Sequence, residues 1–115
     1  MKLINTSLVE EKKSKFYGYI FEIDNLDEIK IILNNLKKEH KKLKHAPYAY
    51  KFGNTAGKTD DKEPNNTAGI QILNVLIRNN LNKHLIVIIR YHGGINLGAS
   101  LLLRSYSKAA NLCIK

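Results

Sequence analysis

The spacing of apolar residues divides the first half of the chain into strands followed by a helix. Across Leu8–Ile23 aromatic and β-branched residues alternate loosely with polar ones, which predicts one or two strands with the charged run Glu10–Lys15 near a turn or sheet edge. A helical period then begins, with Asn25 as the predicted N-cap and Glu28 completing a capping box. The apolar positions of this helix are Leu26, Ile29, Ile32, Leu33 and Leu36.

The second half repeats this sequence of patterns. The alternating aromatics of residues 45–52 predict a strand, and the polar stretch 53–66 predicts a long loop of the kind that is usually functional or disordered. Thr67 is the predicted N-cap of a second helix, whose buried face carries residues such as Ile70 and Leu73. The unbroken apolar run 85–89 predicts a central strand that is covered on both faces. A third helix, from about Ala99, places Tyr106 on its apolar face. This order of elements predicts an α/β sandwich in one domain, 1–115.

Composition adds a location and a class of partner. The one cysteine, Cys113, permits no internal disulfide, and no stretch approaches a membrane span or a signal peptide, so a cytoplasmic protein without membrane association is expected. The net charge of +9 suggests an anionic partner, with nucleic acid as the obvious candidate. Some of the lysines have an alternative origin, because a chain rich in Lys, Asn and Ile is typical of an AT-rich genome. After Glu63, however, there is no acidic residue.

Two segments carry candidate chemistry. The first is the glycine-bearing segment 90–100, where a strand end, a loop and a helix start could bind an anion; the alternative is a tight turn whose glycines need positive φ. The expected ligand- or anion-binding residues are Arg90, Tyr91, Gly93, Gly94, Gly98 and Arg104. The second is the acidic loop, with Asp60, Asp61 and Glu63 as the residues of interest and Thr67 as the helix cap. These acids could bind a cation or act as acid and base, but pairing with Arg90 or Arg104 is the favoured interpretation.

The lysines near predicted turns and the first helix end form a third group. They are interpreted either as RNA contacts or as residues that protect a sheet edge and complement a helix dipole. The group comprises Lys13, Lys15, Lys37, Lys41, Lys42 and Lys44.

The motifs of common enzymes and metal sites are missing. The chain has no P-loop GK[ST], no GxSxG elbow and no HExxH or paired Cys/His spacing. We therefore expect no catalytic set, no metal and no cofactor, and a binding role rather than an enzymatic one.

Several strings together resemble the N-terminal domain of the IMPACT/YigZ family. They are KKSKF at 12–16, HAPYAY at 45–50, DDKEPNNTAG at 60–69, RYHGGINLGA at 90–99 and LRSYSKAA at 103–110. The resemblance implies a fold similar to the second domain of ribosomal protein S5, with a mixed sheet and helices mainly on one face. It also implies a link to translation. The resemblance does not extend to the ferredoxin-like domain that usually follows in this family, and we expect the chain to lack that domain.

This chain departs from the family pattern in its loops. Lys62, Asn65 and Asn66 replace residues that are usually Gly, Ser and Gly, and Asn96 stands where Lys is usual. The resemblance therefore implies a weaker phosphate site than in other members. The first hypothesis is a translation-associated module that contacts RNA, the ribosome or a ribosome-associated protein. The alternatives are a purely protein-binding adaptor and an enzyme acting on a phosphorylated or nucleotide ligand. If the resemblance holds, loop 53–66 lies against loop 90–99.

Overall fold

The computed structural model describes residues 1–114, which form five strands and three helices. In chain order these are β1 (Lys2–Glu11), β2 (Ser14–Glu22), α1 (Asp27–Glu39), β3 (Tyr48–Phe52), β4 (Thr55–Thr59), α2 (Gly69–Arg78), β5 (His84–Tyr91) and α3 (Gly98–Ile114). No helix within the described residues has the length and apolar character needed to cross a membrane.

The strands form one sheet in the order β1-β2-β5-β3-β4, and every neighbouring pair is antiparallel. The α/β class is confirmed, but the mixed sheet expected from the resemblance is wrong. The reason lies in the two crossover connections, β2–α1–β3 and β4–α2–β5. Each joins two strands that run in the same direction, yet neither pair is adjacent, because β5 lies between β2 and β3, and β3 lies between β5 and β4.

The central strand β5 organises the core on both faces of the sheet. Ile86 and Ile88 belong to the cluster that packs against α2 and α3. Leu85, Val87 and Ile89 belong to the opposite cluster, which packs against α1. All five side chains are fully buried, so the prediction of a central strand covered on both faces is confirmed. Two of the three helices share one face, and α1 covers the other.

The stretch expected to be one long loop, 53–66, contains a strand. Residues Thr55–Thr59 pair with β3 across a short turn in which Gly53 adopts a φ of 61°. Gly57 lies under the ring of Tyr50, so close that a Cβ at this position would come within 2.4 Å of the ring. The prediction is therefore corrected: the polar connection shortens to residues 60–68. Thr, Ala, Gly and Lys at a sheet edge bury little surface, which explains why an apolar pattern did not reveal this strand.

The predicted cap of α1 is also corrected. The N-cap position is Leu26, and it makes no side-chain capping bond, so Asn25 does not cap the helix. Glu28 nevertheless reaches back as a capping-box residue would, because its Oε1 accepts a hydrogen bond from the backbone N–H of Asp24 at 2.8 Å.

Candidate functional site

Four connections meet at the end of the sheet where β5 finishes, which we call the loop end. They are the β1–β2 turn (12–13) and the segments 40–47, 60–68 and 92–97. The backbone N–H of Lys44 donates to the carbonyl of Arg90 at 2.8 Å, and His45 forms an isolated β-bridge with the same residue. The N–H of Gly93 donates to the buried Ser14 Oγ at 3.3 Å. The antiparallel topology thus brings together polar segments that are far apart in sequence.

A buried ionic network joins β5, the segment 60–68 and α3. Arg90 Nη1 donates to both carboxylate oxygens of Glu63, at 2.8 and 2.7 Å, and the Tyr106 hydroxyl donates to Glu63 Oε2. The side chain of Glu63 is 2% exposed and that of Arg90 is 6% exposed. Burial, together with the charge of Glu63, raises the pKa of Tyr106 well above its usual range. The prediction that an acid of the 53–66 stretch pairs with Arg90 is confirmed, and so is the contact between the two loops.

The guanidinium of Arg90 is only partly satisfied. Its carbon lies 5.6 Å from the centroid of the Phe16 ring, within range of a cation–π contact. Its Nε is buried and has no hydrogen-bond partner among residues 1–114. Glu63 therefore neutralises the charge of Arg90 without using all of its donors.

His45 extends this network and was not assigned a site role from the sequence. Its Nδ1 lies 2.7 Å from the carbonyl oxygen of Asp61, so Nδ1 carries the hydrogen, while Nε2 lies 3.5 Å from Glu63 Oε1. Asp61 fixes the neighbouring backbone, because its Oδ2 accepts a hydrogen bond from the N–H of Ala46 at 2.6 Å. Nothing in the sequence around His45, at the start of HAPYAY, indicates that its ring approaches Glu63.

Asp60, rather than Thr67, binds the first amides of α2. Asp60 Oδ1 accepts hydrogen bonds from the N–H groups of Ala68 and Gly69, at 3.1 and 2.8 Å, and Oδ2 accepts one from Asn66 at 3.0 Å. Thr67 instead donates its hydroxyl to the carbonyl of Pro64, so the predicted cap is corrected. Burial opposes ionisation of Asp60, but the three backbone bonds outweigh it and lower its pKa. The helix start at Gly69 is therefore anchored by a side chain nine residues upstream.

The glycines of segment 92–98 differ in what they require. Gly93 packs against the β1–β2 turn so closely that a Cβ would come within 2.1 Å of the backbone carbon of Lys13. Gly94 and Gly98 adopt φ values of 86° and 76°, which L-residues rarely adopt. His92 stabilises this turn, because its Nδ1 accepts the N–H of Gly94 at 2.7 Å.

Two predicted ligand-binding residues face elsewhere. Tyr91 points to the α1 face, where its hydroxyl lies 2.6 Å from His40 Nδ1. Tyr19 approaches the other ring nitrogen of His40 at 2.6 Å, and burial raises the pKa of Tyr19 to about 12. Arg104 is exposed on α3 and donates to Ser100 Oγ at 3.1 Å. Tyr91 and Arg104 therefore do not line the pocket at the loop end.

Three of the predicted residues, Arg90, Glu63 and Gly98, border a pocket of about 450 Å³ at the loop end. Its floor contains the buried pair Arg90 and Glu63, and its rim contains exposed polar residues. The lining residues are His45, Lys62, Glu63, Pro64, Arg90, His92, Asn96, Leu97, Gly98, Ala99 and Leu102. Lys62 and Asn96, two departures from the family pattern, thus lie at this pocket.

Exposed lysines surround the loop end. Lys13 lies in the β1–β2 turn, Lys15 at the start of β2 and Lys37 in the last turn of α1. Lys41, Lys42 and Lys44 follow α1, and Lys12 and Lys62 occupy the neighbouring turns. All are exposed, whereas Asp60, Asp61 and Glu63 direct carboxylate oxygens into hydrogen bonds within the protein. The outer surface between these segments is therefore predominantly positive.

By its structure this protein is an antiparallel α/β sandwich in which a glycine-bearing loop lies beside a buried Glu–Arg pair. Comparison with known proteins places it in a family: the sequence model of the Impact N-terminal domain matches residues 12–114, and the chain belongs to that family. The resemblance seen in the sequence is confirmed. "IMPACT family member YvyE" of Bacillus subtilis is 34% identical over 103 residues, which cover 87% of this chain and 48% of that protein.

Two solved structures are similar to the fold. The crystal structure of a hypothetical protein superposes with a TM-score of 0.91 at 30% identity, over 98% of this chain and 59% of the other. The two-domain translational regulator Yih1 superposes with a TM-score of 0.59 at 19% identity, over 93% and 44% of the two chains. The chain spans about half the length of the curated relatives it matches.

Proposed function

We propose that this protein is a translation-associated binding module whose loop end contacts RNA, either free or within the ribosome. Membership of the family supports a role in translation, since one structural neighbour is described as a translational regulator. The observation that carries the choice of RNA is the convergence of exposed lysines from three separate segments on one end of the sheet. Phosphate contacts of this kind supply most of the affinity for nucleic acid.

The arrangement of acidic groups at the loop end favours this proposal. Glu63 is neutralised by Arg90, and Asp60 and Asp61 accept hydrogen bonds from backbone amides. Their negative charges are thus turned inward, away from an approaching polyanion. The other acids near this end are fewer than the lysines: Glu10 and Glu11 end β1, with Glu10 opposite Lys15, and Glu39 lies between Lys38 and Lys41.

The test is sedimentation of the purified protein with ribosomes and separated subunits, at low and moderate salt, with and without nuclease. We compare the triple variant Lys41→Glu, Lys42→Glu, Lys44→Glu with a matched triple charge reversal at Lys30, Arg78 and Lys83, all exposed towards the opposite end. The first variant is expected to lose most co-sedimentation and to flatten the salt dependence, because each lost phosphate contact removes roughly 0.7–0.9 from the slope of log K against log salt. Equal losses in both variants, or binding that ignores salt, would refute the assignment.

A second candidate function is docking of a protein, and one observation favours it. A groove of about 790 Å³ lies between α1 and the uncovered face of β1 and β2. Its walls include Leu3, Leu8, Tyr17, Phe21 and Ile32, and no lysine or arginine among residues 1–114 lines it. Such a surface suits an apolar segment of a translation-associated protein rather than RNA. Nuclease-resistant, salt-insensitive co-sedimentation that Leu8→Asp abolishes would favour this function.

A further inference from the structure

The pocket at the loop end contains donors that the protein itself does not satisfy. Arg90 is 5% exposed, and only its Nη1 donates to Glu63. Its Nε has no hydrogen-bond partner among residues 1–114, and Arg90 is one of the residues that line the pocket. A guanidinium presents five N–H donors in a rigid fork, and leaving a buried one unsatisfied is unfavourable. The floor of the pocket therefore has unused capacity to bind an acceptor.

The helix that closes the pocket adds further donors. Gly98 and Ala99, the first residues of α3, line the cavity. The first turn of this 17-residue helix contains no acidic residue, so no carboxylate of its own occupies the amide groups there. The first N–H groups of a helix have no partner within the helix, and together with the helix dipole they attract anions. This second set of donors faces the same cavity as Arg90.

The charge of the lining also favours an anion. Within the described part of the chain Glu63 is the only acid that borders the pocket, and it is paired with Arg90 and bonded to Tyr106. The exposed rim contributes the ammonium group of Lys62 and the imidazole of His92. Because the charges of Glu63 and Arg90 cancel, the remaining polar groups of the lining are positively charged or hydrogen-bond donors. The departures of this chain from the family pattern replace one lysine position by Asn96 but place Lys62 at the same rim.

We propose that this pocket binds a terminal phosphate monoester, carried either by the end of an RNA chain or by a free nucleotide. An internal phosphodiester is flanked by nucleotides on both sides, whereas a chain end projects and can reach the buried Arg90. The volume of about 450 Å³ exceeds what one phosphate needs and falls within the range of small-molecule sites. The apolar side chains of Leu97 and Leu102 provide a surface for the attached sugar. This inference deepens the proposed function and rests on it for the RNA source.

Binding is tested by calorimetry with the full chain and three probes. Two are oligoribonucleotides of one sequence, with phosphate or hydroxyl ends, and the third is a nucleoside monophosphate. The phosphorylated oligonucleotide is expected to bind about tenfold more tightly, since charge-assisted hydrogen bonds to one phosphate account for at least that difference. The exposed-rim variant Lys62→Ala, His92→Ala is expected to reduce the preference severalfold, and Lys58→Ala, on the exposed part of β4 outside the lining, is the control. Nitrogen–proton spectra titrated with the monophosphate should show shifts at the amides of Gly98 and Ala99, a readout that does not depend on any variant folding.

The outcomes separate the two proposals. Equal, salt-sensitive binding of both oligonucleotides would overturn the phosphate pocket and leave the RNA surface standing. Binding of the monophosphate, with shifts at Gly98, but of neither oligonucleotide would support the pocket with a free nucleotide as its source and overturn the RNA surface. Binding of no probe would overturn both.

Discussion

Replacing Glu63 by glutamine tests whether the buried network depends on charge. The variant Glu63→Gln keeps the shape of the side chain but removes the negative charge that faces Arg90 at 2.7 and 2.8 Å. The amide oxygen can still accept one of these bonds. The amide nitrogen, however, is a donor: facing the guanidinium it is repulsive, and facing Tyr106 it requires the hydroxyl to accept instead of donate. Arg90 then remains 5% exposed without a counter-charge.

The expected loss follows from the burial of the pair. Removing one partner of a buried ion pair costs roughly 3–5 kcal/mol, and the retained amide bond places Glu63→Gln near the lower bound, at about 3 kcal/mol. A domain of this size is stable by only about 5–15 kcal/mol, so this is a large share. At roughly 4 °C per kcal/mol for a chain of this length, the melting temperature is expected to fall by about 12 °C.

Urea unfolding followed by far-UV circular dichroism measures this loss, because the chain contains no tryptophan to report by fluorescence. The free energy of unfolding of Glu63→Gln is compared with that of Glu10→Gln, which removes an exposed acid. The control is expected to stay within about 0.5 kcal/mol of the wild type. If the free energy of unfolding falls with urea concentration at the same slope in the wild type and both variants, only stability, and not the unfolded state, has changed.

A double-mutant cycle provides the refutation. Arg90→Met is measured alone and combined with Glu63→Gln. The double variant is expected to lose about 1–3 kcal/mol less stability than the sum of the two single variants, because the charges interact directly. A Glu63→Gln protein as stable as the Glu10→Gln control, or purely additive losses, would show that the ion pair does not hold the loop end together.

Three further changes test individual contacts. Asp60→Ala is expected to destabilise the protein by about 1–2 kcal/mol at neutral pH through loss of the α2 cap. The folded pKa of Asp60 is lowered by backbone bonds that outweigh burial, so its contribution to stability is present above pH about 4 and is lost as pH falls through the lowered pKa. The free energy of unfolding of the variant should therefore depend less on pH between 7 and 2.5 than that of the wild type. Tyr106 has a pKa raised by burial and by Glu63, so the stability linked to its protonation is complete below pH about 10 and falls by about 1.4 kcal/mol per unit above it. Tyr106→Phe should lessen this alkaline decline between pH 9 and 11, and an unchanged decline would contradict the assignment. Gly93→Ala should destabilise by about 1–3 kcal/mol and speed amide exchange in the turn at Lys13, whose backbone the new methyl group would meet; exchange equal to the wild type would show that the turn can move away.

Much of the fold follows from local patterns. The run 85–89 predicts a buried central strand because such a strand has no polar face to display, and the structure confirms it. The helices are visible because their apolar periods reflect the side that each packs on the sheet. Strand β4 was missed because Thr55–Thr59 lies at a sheet edge and buries no apolar stripe. Its existence depends on pairing with β3, which no property of the segment itself encodes.

The candidate site shows the same division. The pairing of Glu63 with Arg90 could be anticipated because one acid-bearing loop and one basic strand end had to find partners, whereas Arg104, equally basic, turned out to be exposed. The role of Tyr106 could not be anticipated from its position on the apolar face of α3. That face meets β2 and β5 at their loop ends, and only the packing decides that the hydroxyl reaches a carboxylate 43 residues away.

The position of β5 explains why the polar groups meet where they do. Both crossover connections skip a neighbouring strand, and β5, the last strand in the chain, lies between β2 and β3. The end of β5 is therefore bordered by the β1–β2 turn on one side and by the segment before β3 on the other, and Arg90 lies where the two meet. Glu63 enters from the connection that follows β4, so its bond to Arg90 links the outer hairpin to the centre of the sheet. A buried ion pair adds little net stability over apolar packing, but this one joins the segment 60–68 to β5. The same constraint that fixes the loop end places Arg90, whose Nε has no hydrogen-bond partner among residues 1–114, in the lining of the pocket, and a fixed lining of this kind is what a binding site requires.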